Sequence, residues 1–241
     1  MKQVTRDNRA WFQDWANEYD NTLGKVKRHH KLLDLVVRES GIKRNDQVLD
    51  IGCGTGLLSL KFLNTTDCRI TAIDSSSEML RIFQEKIEQC NLTAKIHCSQ
   101  QSAEEMDFKP EQFDIIASTV ALHHVKYKEP VIKKIYDSLK GGGRFVIGEI
   151  DMDTTGRLDD PQRLARILRY LTGELTLAMK EGGIPAFERM YDNGKKHILN
   201  DGEYCIGFDQ WKDLCTNAGF KNVEVTPLKG FASFKVLAAT K

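Results

Sequence analysis

The stretch Val48-Leu49-Asp50-Ile51-Gly52-Cys53-Gly54-Thr55-Gly56 carries the clearest chemical signal in this 241-residue chain. Three glycines directly after a short apolar run let the backbone turn tightly and let a ligand approach the main chain. The dinucleotide fingerprint G-x-G-x-x-G needs a glycine where Leu57 stands, and a P-loop needs Gly-Lys-Ser/Thr where Gly56-Leu57-Leu58 stands. Both phosphate readings fail on spacing. Asp50, two residues before the first glycine, opposes a pyrophosphate and favours a cationic ligand. A second carboxylate, Asp74, stands eighteen residues past Gly56 at the end of the next apolar run. There it can accept both hydroxyls of an unphosphorylated ribose. The plainer alternative is that Asp74 only precedes the helix opened by Ser75.

S-adenosyl-L-methionine (SAM) carries a sulfonium, an α-ammonium and a free ribose, and no phosphate, so it is the common cofactor that matches this pattern. Displacement on a sulfonium methyl mainly requires alignment, worth about 7–11 kcal/mol for well-oriented reactants. A base matters only if the acceptor must lose a proton. Candidates are the adjacent histidines of Ala121-Leu122-His123-His124-Val125, and Glu149, Asp151 and Asp153 after a later apolar run. The competing readings are a structural histidine pair and a solvated acidic loop. Arg28-His29-His30 reads either as an anion contact or as a solvated helix face. Trp11, Trp15 and Tyr19, spaced four apart, share one helix face. They either dock that helix or form a lid whose ring meets the sulfonium, a cation–π contact of about 0.5–2 kcal/mol.

Alternating short apolar runs and helical patterns must position these residues, which is the signature of a parallel α/β sheet. Strands are expected over 47–51, 69–73, 94–98, 113–118 and 144–150. Helices are expected over 55–63, from a Ser75/Glu78 capping box, from the turn holding Pro130 to Gly141, and from an Asp209 cap to Gly219. Strands over 222–226 and 232–238 close the chain as an antiparallel pair. The organisation predicted is a single domain over 1–241. Residues 1–40 form an N-terminal helical lid, 41–150 a cofactor-binding core, 151–207 a cap insertion, and 208–241 the closing helix and strands. Within the insertion, Leu164, Ile167, Leu168, Leu171, Leu175 and Met179 fall on one face of a helix from Pro161 to Lys180.

Lys plus Arg number 35 and Asp plus Glu 34, a net charge of +1. That balance argues against a dedicated nucleic-acid binder. No apolar stretch approaches 18 residues, so no membrane span is expected, and the opening residues lack a signal-peptide core, which points to the cytoplasm. Cys53, Cys68, Cys90, Cys98, Cys205 and Cys215 contain no Cys-x-x-Cys pair, so reduced cysteines and no metal are expected. The alternative is a soft-ligand set of His197, Cys205 and Cys215.

Residues 48–56, 72–80, 101–108, 113–125 and 139–149 resemble successive motifs of the class I SAM-dependent methyltransferases, most closely the UbiE/Coq5-like small-molecule branch. The resemblance implies a Rossmann-like seven-stranded, mostly parallel sheet with its last strand antiparallel, under a helical cap. It implies that Gly52, Cys53 and Gly54 line the methionine part, Asp74 takes the ribose, and Ser75 and Met79 flank the adenine. It also implies Ser102 and Ala103 at the adenine edge and Ser118 beneath the cofactor. Ser102 departs from the aspartate usual there, which weakens adenine recognition. Similarity to phosphoethanolamine-type enzymes favours His123 as base, with Glu149 next. Tyr19-Asp20 resembles the Tyr-Asp pair ending this family's first helix, making Tyr19 the lid residue. The expected activity is methyl transfer to a small-molecule acceptor. The alternatives are an RNA or protein methyltransferase and a SAM-binding protein without chemistry. The acceptor and the oligomeric state are not legible.

Overall fold

The computed structural model describes residue 20, residues 26–195 and residues 203–241. In chain order the elements are α1 (Lys27–Ser40), β1 (Gln47–Ile51), α2 (Leu57–Thr65), β2 (Arg69–Asp74), α3 (Ser77–Gln89), β3 (Ile96–Gln100) and β4 (Phe113–Thr119). A 3-10 turn (Leu122–His124), α4 (Lys128–Ser138), β5 (Leu139–Ile150), α5 (Pro161–Asn193), α6 (Phe208–Ala218), β6 (Lys221–Pro227) and β7 (Phe234–Thr240) follow. The sheet order is β3-β2-β1-β4-β5-β7-β6. β1 to β5 pair in parallel, while β7 runs antiparallel to both β5 and β6. The parallel α/β sheet is what the alternating runs predicted, and the seven-stranded Rossmann-like arrangement with antiparallel β7 is what the family resemblance implied.

Period-two alternation splits the core between the faces of the sheet. Val48 joins Phe62 of α2, Phe83 of α3 and Leu32 of α1 on one face. Leu49 and Ile51 join Ile132 of α4 and Trp211 of α6 on the other. Because β1 has β2 on one side and β4 on the other, the chain changes direction here. Such a switch point opens a crevice outside the carboxyl ends of the strands.

Several expected boundaries move. The cap of α3 is Ser76, whose hydroxyl accepts the Met79 amide at 3.3 Å, and not Ser75. β5 begins at Leu139, immediately after α4, and absorbs Gly141-Gly142-Gly143 in a register shift against β4. Gly207 precedes α6, its amide held by the Gln210 side chain at 2.8 Å, with Asp209 in the first turn.

α5 runs beyond Lys180 and breaks at Gly183, where φ is +64°, with Pro185 just after it. Its expected apolar face is only partly used. Ile167 and Leu171 are buried, whereas Leu164, Leu168 and Met179 are exposed. Arg163 and Glu174 fill the buried stripe instead. The Glu174 carboxylate pairs with Arg28 of α1, whose guanidinium also lies over the Phe234 ring at 4.4 Å. Arg28 is therefore a strut between α1, α5 and β7, not a solvated face, and the neighbouring His29 is buried.

Candidate active site

The glycine loop leaves β1 and crosses the carboxyl end of β2. The amides of Gly52 and Cys53 both donate to the Ile73 carbonyl, at 2.8 and 3.0 Å. Gly52 has φ +69°, and a Cβ there would lie 2.3 Å from the Ala121 Cβ. The turn after β4 thus packs directly on the loop. Gly54 also has a left-handed φ, +53°, but a Cβ on it would meet nothing within 4 Å. That side is left open for a ligand.

The Gly54 amide donates to Asp74 Oδ2 at 2.8 Å, and the Ser76 amide to Asp74 Oδ1 at 2.8 Å. An ionised carboxylate offers roughly four acceptor sites, so acceptor capacity remains. Burial raises the Asp74 pKa, while the amides of Ser76, Gly54 and Ser75 pull it back. Asp20 anchors to the same loop. It accepts from the Thr55 hydroxyl at 2.6 Å and pairs with Lys86 at 2.5 Å.

A cavity of about 230 Å³ opens over this loop. Gly52, Gly54, Asp74, Ser75 and Met79 line one side, Gln101 to Glu104 another, and Thr119 to Leu122 with His124 and Val125 the third. Of the expected cofactor residues, Gly52, Gly54, Asp74, Ser75, Met79, Ser102 and Ala103 meet in this cleft. Tyr19 lies outside the described residues, as do Trp11, Trp15 and His197.

Three expected contacts are not at the cleft wall. Asp50 is buried and accepts from the Ser59 hydroxyl of α2 at 2.6 Å. Its place is a matter of strand alternation, which puts Asp50 on the same face as Val48. Burial pushes its carboxyl up to about 7, against the Ser59 hydrogen bond and with help from Asp74. The negative wall of the cleft is therefore Asp74 and Glu104, not Asp50. The Cys53 side chain is packed into the core, and burial drives its thiol pKa far up. Ser118 is fully buried and donates to the Ile51 carbonyl at 2.8 Å, tying β4 to β1.

Both expected catalytic groups also sit behind the wall. His123 and Glu149 are buried, with Nδ1 and Oε2 2.9 Å apart. Glu149 further accepts the amides of Ala121, His123 and Ile150. Burial opposes charge on both partners of this contact, yet their mutual attraction prevails. Glu149 falls below its usual range, and His123, with Glu203 adding to the pull, rises above its own. The histidine that lines the cleft is its neighbour His124, the two rings lying 4.0 Å apart. Asp151 accepts the Phe208 amide and pairs with Lys235, and Asp153 accepts from Thr155. Cys205 and Cys215 belong to the cores on opposite faces of the sheet, so they cannot share a ligand.

Gln101, Glu104, Thr119 and Val120 were not singled out by sequence. Val120 carries φ +50°, a strained backbone for a β-branched residue, held by its amide on the Gly148 carbonyl at 2.8 Å. No composition signal marks such a residue.

A sheet of this order is that of the class I SAM-dependent methyltransferase fold, and a methyltransferase-domain family model matches residues 48–143. The ubiquinone/menaquinone biosynthesis C-methyltransferase UbiE of Proteus mirabilis is 30% identical over 142 residues, 57% of this chain and 57% of that one. The chain thus spans little more than half the length of such relatives. Among solved structures, Haemonchus contortus phosphoethanolamine N-methyltransferase 2 in complex with SAM superposes with a TM-score of 0.65 at 15% identity. That likeness covers 100% of this chain and 61% of the other. A SAM-dependent methyltransferase from Aquifex aeolicus gives 0.61 at 14% identity, covering 98% and 99%. These two likenesses establish the fold. Among the described residues, no helix is long and apolar enough to cross a membrane.

Proposed function

We propose that this protein transfers a methyl group from SAM to a small-molecule acceptor. The observation that carries the reading is Asp74, which faces the cleft beside Gly54 with acceptor capacity to spare and no cation in its hydrogen bonds. A ribose with free hydroxyls meets that need, and a phosphate opposes it. The residues fit the cofactor on a second count, because the open side of Gly54 leaves room for a ligand against main chain.

In this reading Asp74 accepts the ribose hydroxyls, and Met79 and Ala103 cover the adenine. Ser102 accepts from the adenine edge while its own hydroxyl donates to Glu105 at 2.9 Å. Tyr19 closes over the cofactor, a role favoured by the anchoring of the next residue, Asp20, to Thr55. When bound, SAM supplies an electrophilic sulfonium methyl for in-line displacement. Thr119, Val120, Leu122 and His124 form the acceptor end. His124 is the residue that meets the acceptor, and Glu149 with His123 holds the turn that presents it. Residues 151–207 act as the cap that selects the acceptor, whereas α1, part of the lid expected over 1–40, packs on the sheet face as core.

The test is isothermal titration with SAM, followed by turnover to S-adenosylhomocysteine against a panel of small amines, thiols, phenols and quinols. Micromolar-range binding and turnover of a panel member are expected. Turnover only with RNA or protein, or binding with no turnover at all, would replace this reading with one of its rivals. The near-zero net charge disfavours the nucleic-acid rival, as does Ser118-Thr119-Val120-Ala121 where amino-methylating enzymes of nucleic acids carry Asn/Asp-Pro-Pro-Tyr/Phe.

A further inference from the structure

One cluster next to the cleft is not used by the cofactor. His123, His124 and Glu203 each turn a ligand atom toward the others, and all these atoms lie within 4.8 Å of one another. His123 Nε2 is 3.9 Å from Glu203 Oε1, too long for a hydrogen bond. A cation bonded to both at about 2.1 Å in tetrahedral geometry would separate them by roughly 3.4 Å. The gap is therefore close to that of two donors sharing one ion.

The surroundings organise the cluster as metal sites are organised. Glu149 takes the Nδ1 side of His123 at 2.9 Å, which leaves Nε2 as the lone-pair nitrogen directed at Glu203. A carboxylate behind a histidine in this way fixes its tautomer and raises its basicity as a ligand. Glu203 is also held in place. Its carbonyl accepts from the Thr154 hydroxyl at 2.6 Å, and the next residue, Tyr204, donates its amide to the His123 carbonyl at 2.8 Å. Lys128 closes the bracket by donating to the Tyr204 carbonyl at 2.6 Å. The side chains of His123 and Glu203 are 5% and 11% exposed, so the two donors are preorganised away from water.

We propose that His123, His124 and Glu203 bind one divalent cation of borderline softness, zinc in the first instance. Two imidazoles and one carboxylate with an open fourth position is the donor set of mononuclear catalytic zinc and of some iron(II) sites. Because His124 also lines the cleft, the fourth position belongs to water or to a donor atom of the acceptor. A cation there would acidify a bound hydroxyl or thiol, and would do so without a free base.

The test uses tag-free protein stripped with a chelator and titrated with Co²⁺ and Zn²⁺, read by visible absorption and calorimetry. One equivalent should bind, with intense tetrahedral Co²⁺ bands that Zn²⁺ abolishes. Glu203→Gln and His124→Gln should each weaken binding by about tenfold or more. Their metal-free circular dichroism should match the parent, and His124→Asn serves should His124→Gln misfold. Absence of saturable binding overturns the proposal, as does binding in both variants as strong as in the parent. The readout needs neither SAM nor an acceptor, so its failure leaves the methyltransferase reading standing.

Discussion

Asp74 at the end of β2 accepts the Gly54 amide of the loop after β1 at 2.8 Å, joining the two strand ends through a single carboxylate oxygen. The same carboxylate accepts the Ser76 amide at the start of α3. One side chain thus organises the loop, the helix start and one wall of the cleft. Asp74→Ala should weaken SAM binding by about 100-fold by calorimetry, since a charge-assisted bidentate contact is worth roughly 1.5–3 kcal/mol. Unchanged affinity in that variant would remove the ribose assignment.

Two glycines in the loop should respond differently to the same added methyl. At Gly52 the Cβ would lie 2.3 Å from that of Ala121, on a backbone at φ +69°. Gly52→Ala should therefore destabilise the fold by about 2 kcal/mol or more in urea unfolding. At Gly54 the added group meets open space, so Gly54→Ala should lower stability by only about 1 kcal/mol while weakening SAM binding. Equal stability losses in the two variants would contradict this division.

The buried His123–Glu149 pair should be a stability device before it is a catalytic one. Glu149→Leu strips the His123 ring and three backbone amides of their acceptor. Removing one partner of such a pair costs about 3–5 kcal/mol. Chemical denaturation should show that loss, with Glu149→Gln milder because its amide oxygen still accepts. A Leu variant as stable as the parent would make the pair incidental.

Two buried groups give opposite pH dependences. Burial, with His30, Arg28 and Lys61 adding to it, lowers the His29 pKa from 6.5 to about 4. Between those values the unfolded chain binds the extra proton. Stability is therefore complete above pH 6.5 and falls by up to about 3 kcal/mol as pH drops to 4. Asp50 is raised from 3.8 to about 7, so the folded state binds the extra proton. Its contribution is complete below pH 3.8 and falls by up to about 4 kcal/mol as pH rises to 7. Unfolding free energies across pH 4–7 should lose the acid-side decline in His29→Gln and the neutral-side decline in Asp50→Asn. Parallel profiles for parent and variants would refute both assignments.

The strands, the glycine loop and the place of Asp74 beside it were legible because each rests on local chemistry: apolar period, turn geometry, and a fixed offset along a βαβ unit. Asp50 shows a local signal that was available and outweighed. Its alternation with Leu49 and Ile51 pointed it toward α2, where Ser59 waits nine residues on. The cap of α3 was ambiguous for a plainer reason. Ser75, Ser76 and Ser77 are chemically equal candidates, and only the extended φ and ψ of Ser76 choose among them.

By itself, then, the order of residues determined a switch-point α/β sheet, a glycine turn without the spacing of the phosphate-binding loops, and a carboxylate beside it. Tertiary structure alone decided which of two adjacent histidines faces the cleft. Glu149, 26 residues away, captures His123 from behind and leaves His124 in front. It likewise brought Glu203, 80 residues further along the chain than His123, to the same turn. Neighbours in sequence share composition and propensity, but the direction of a side chain is set by whichever distant group supplies its partner.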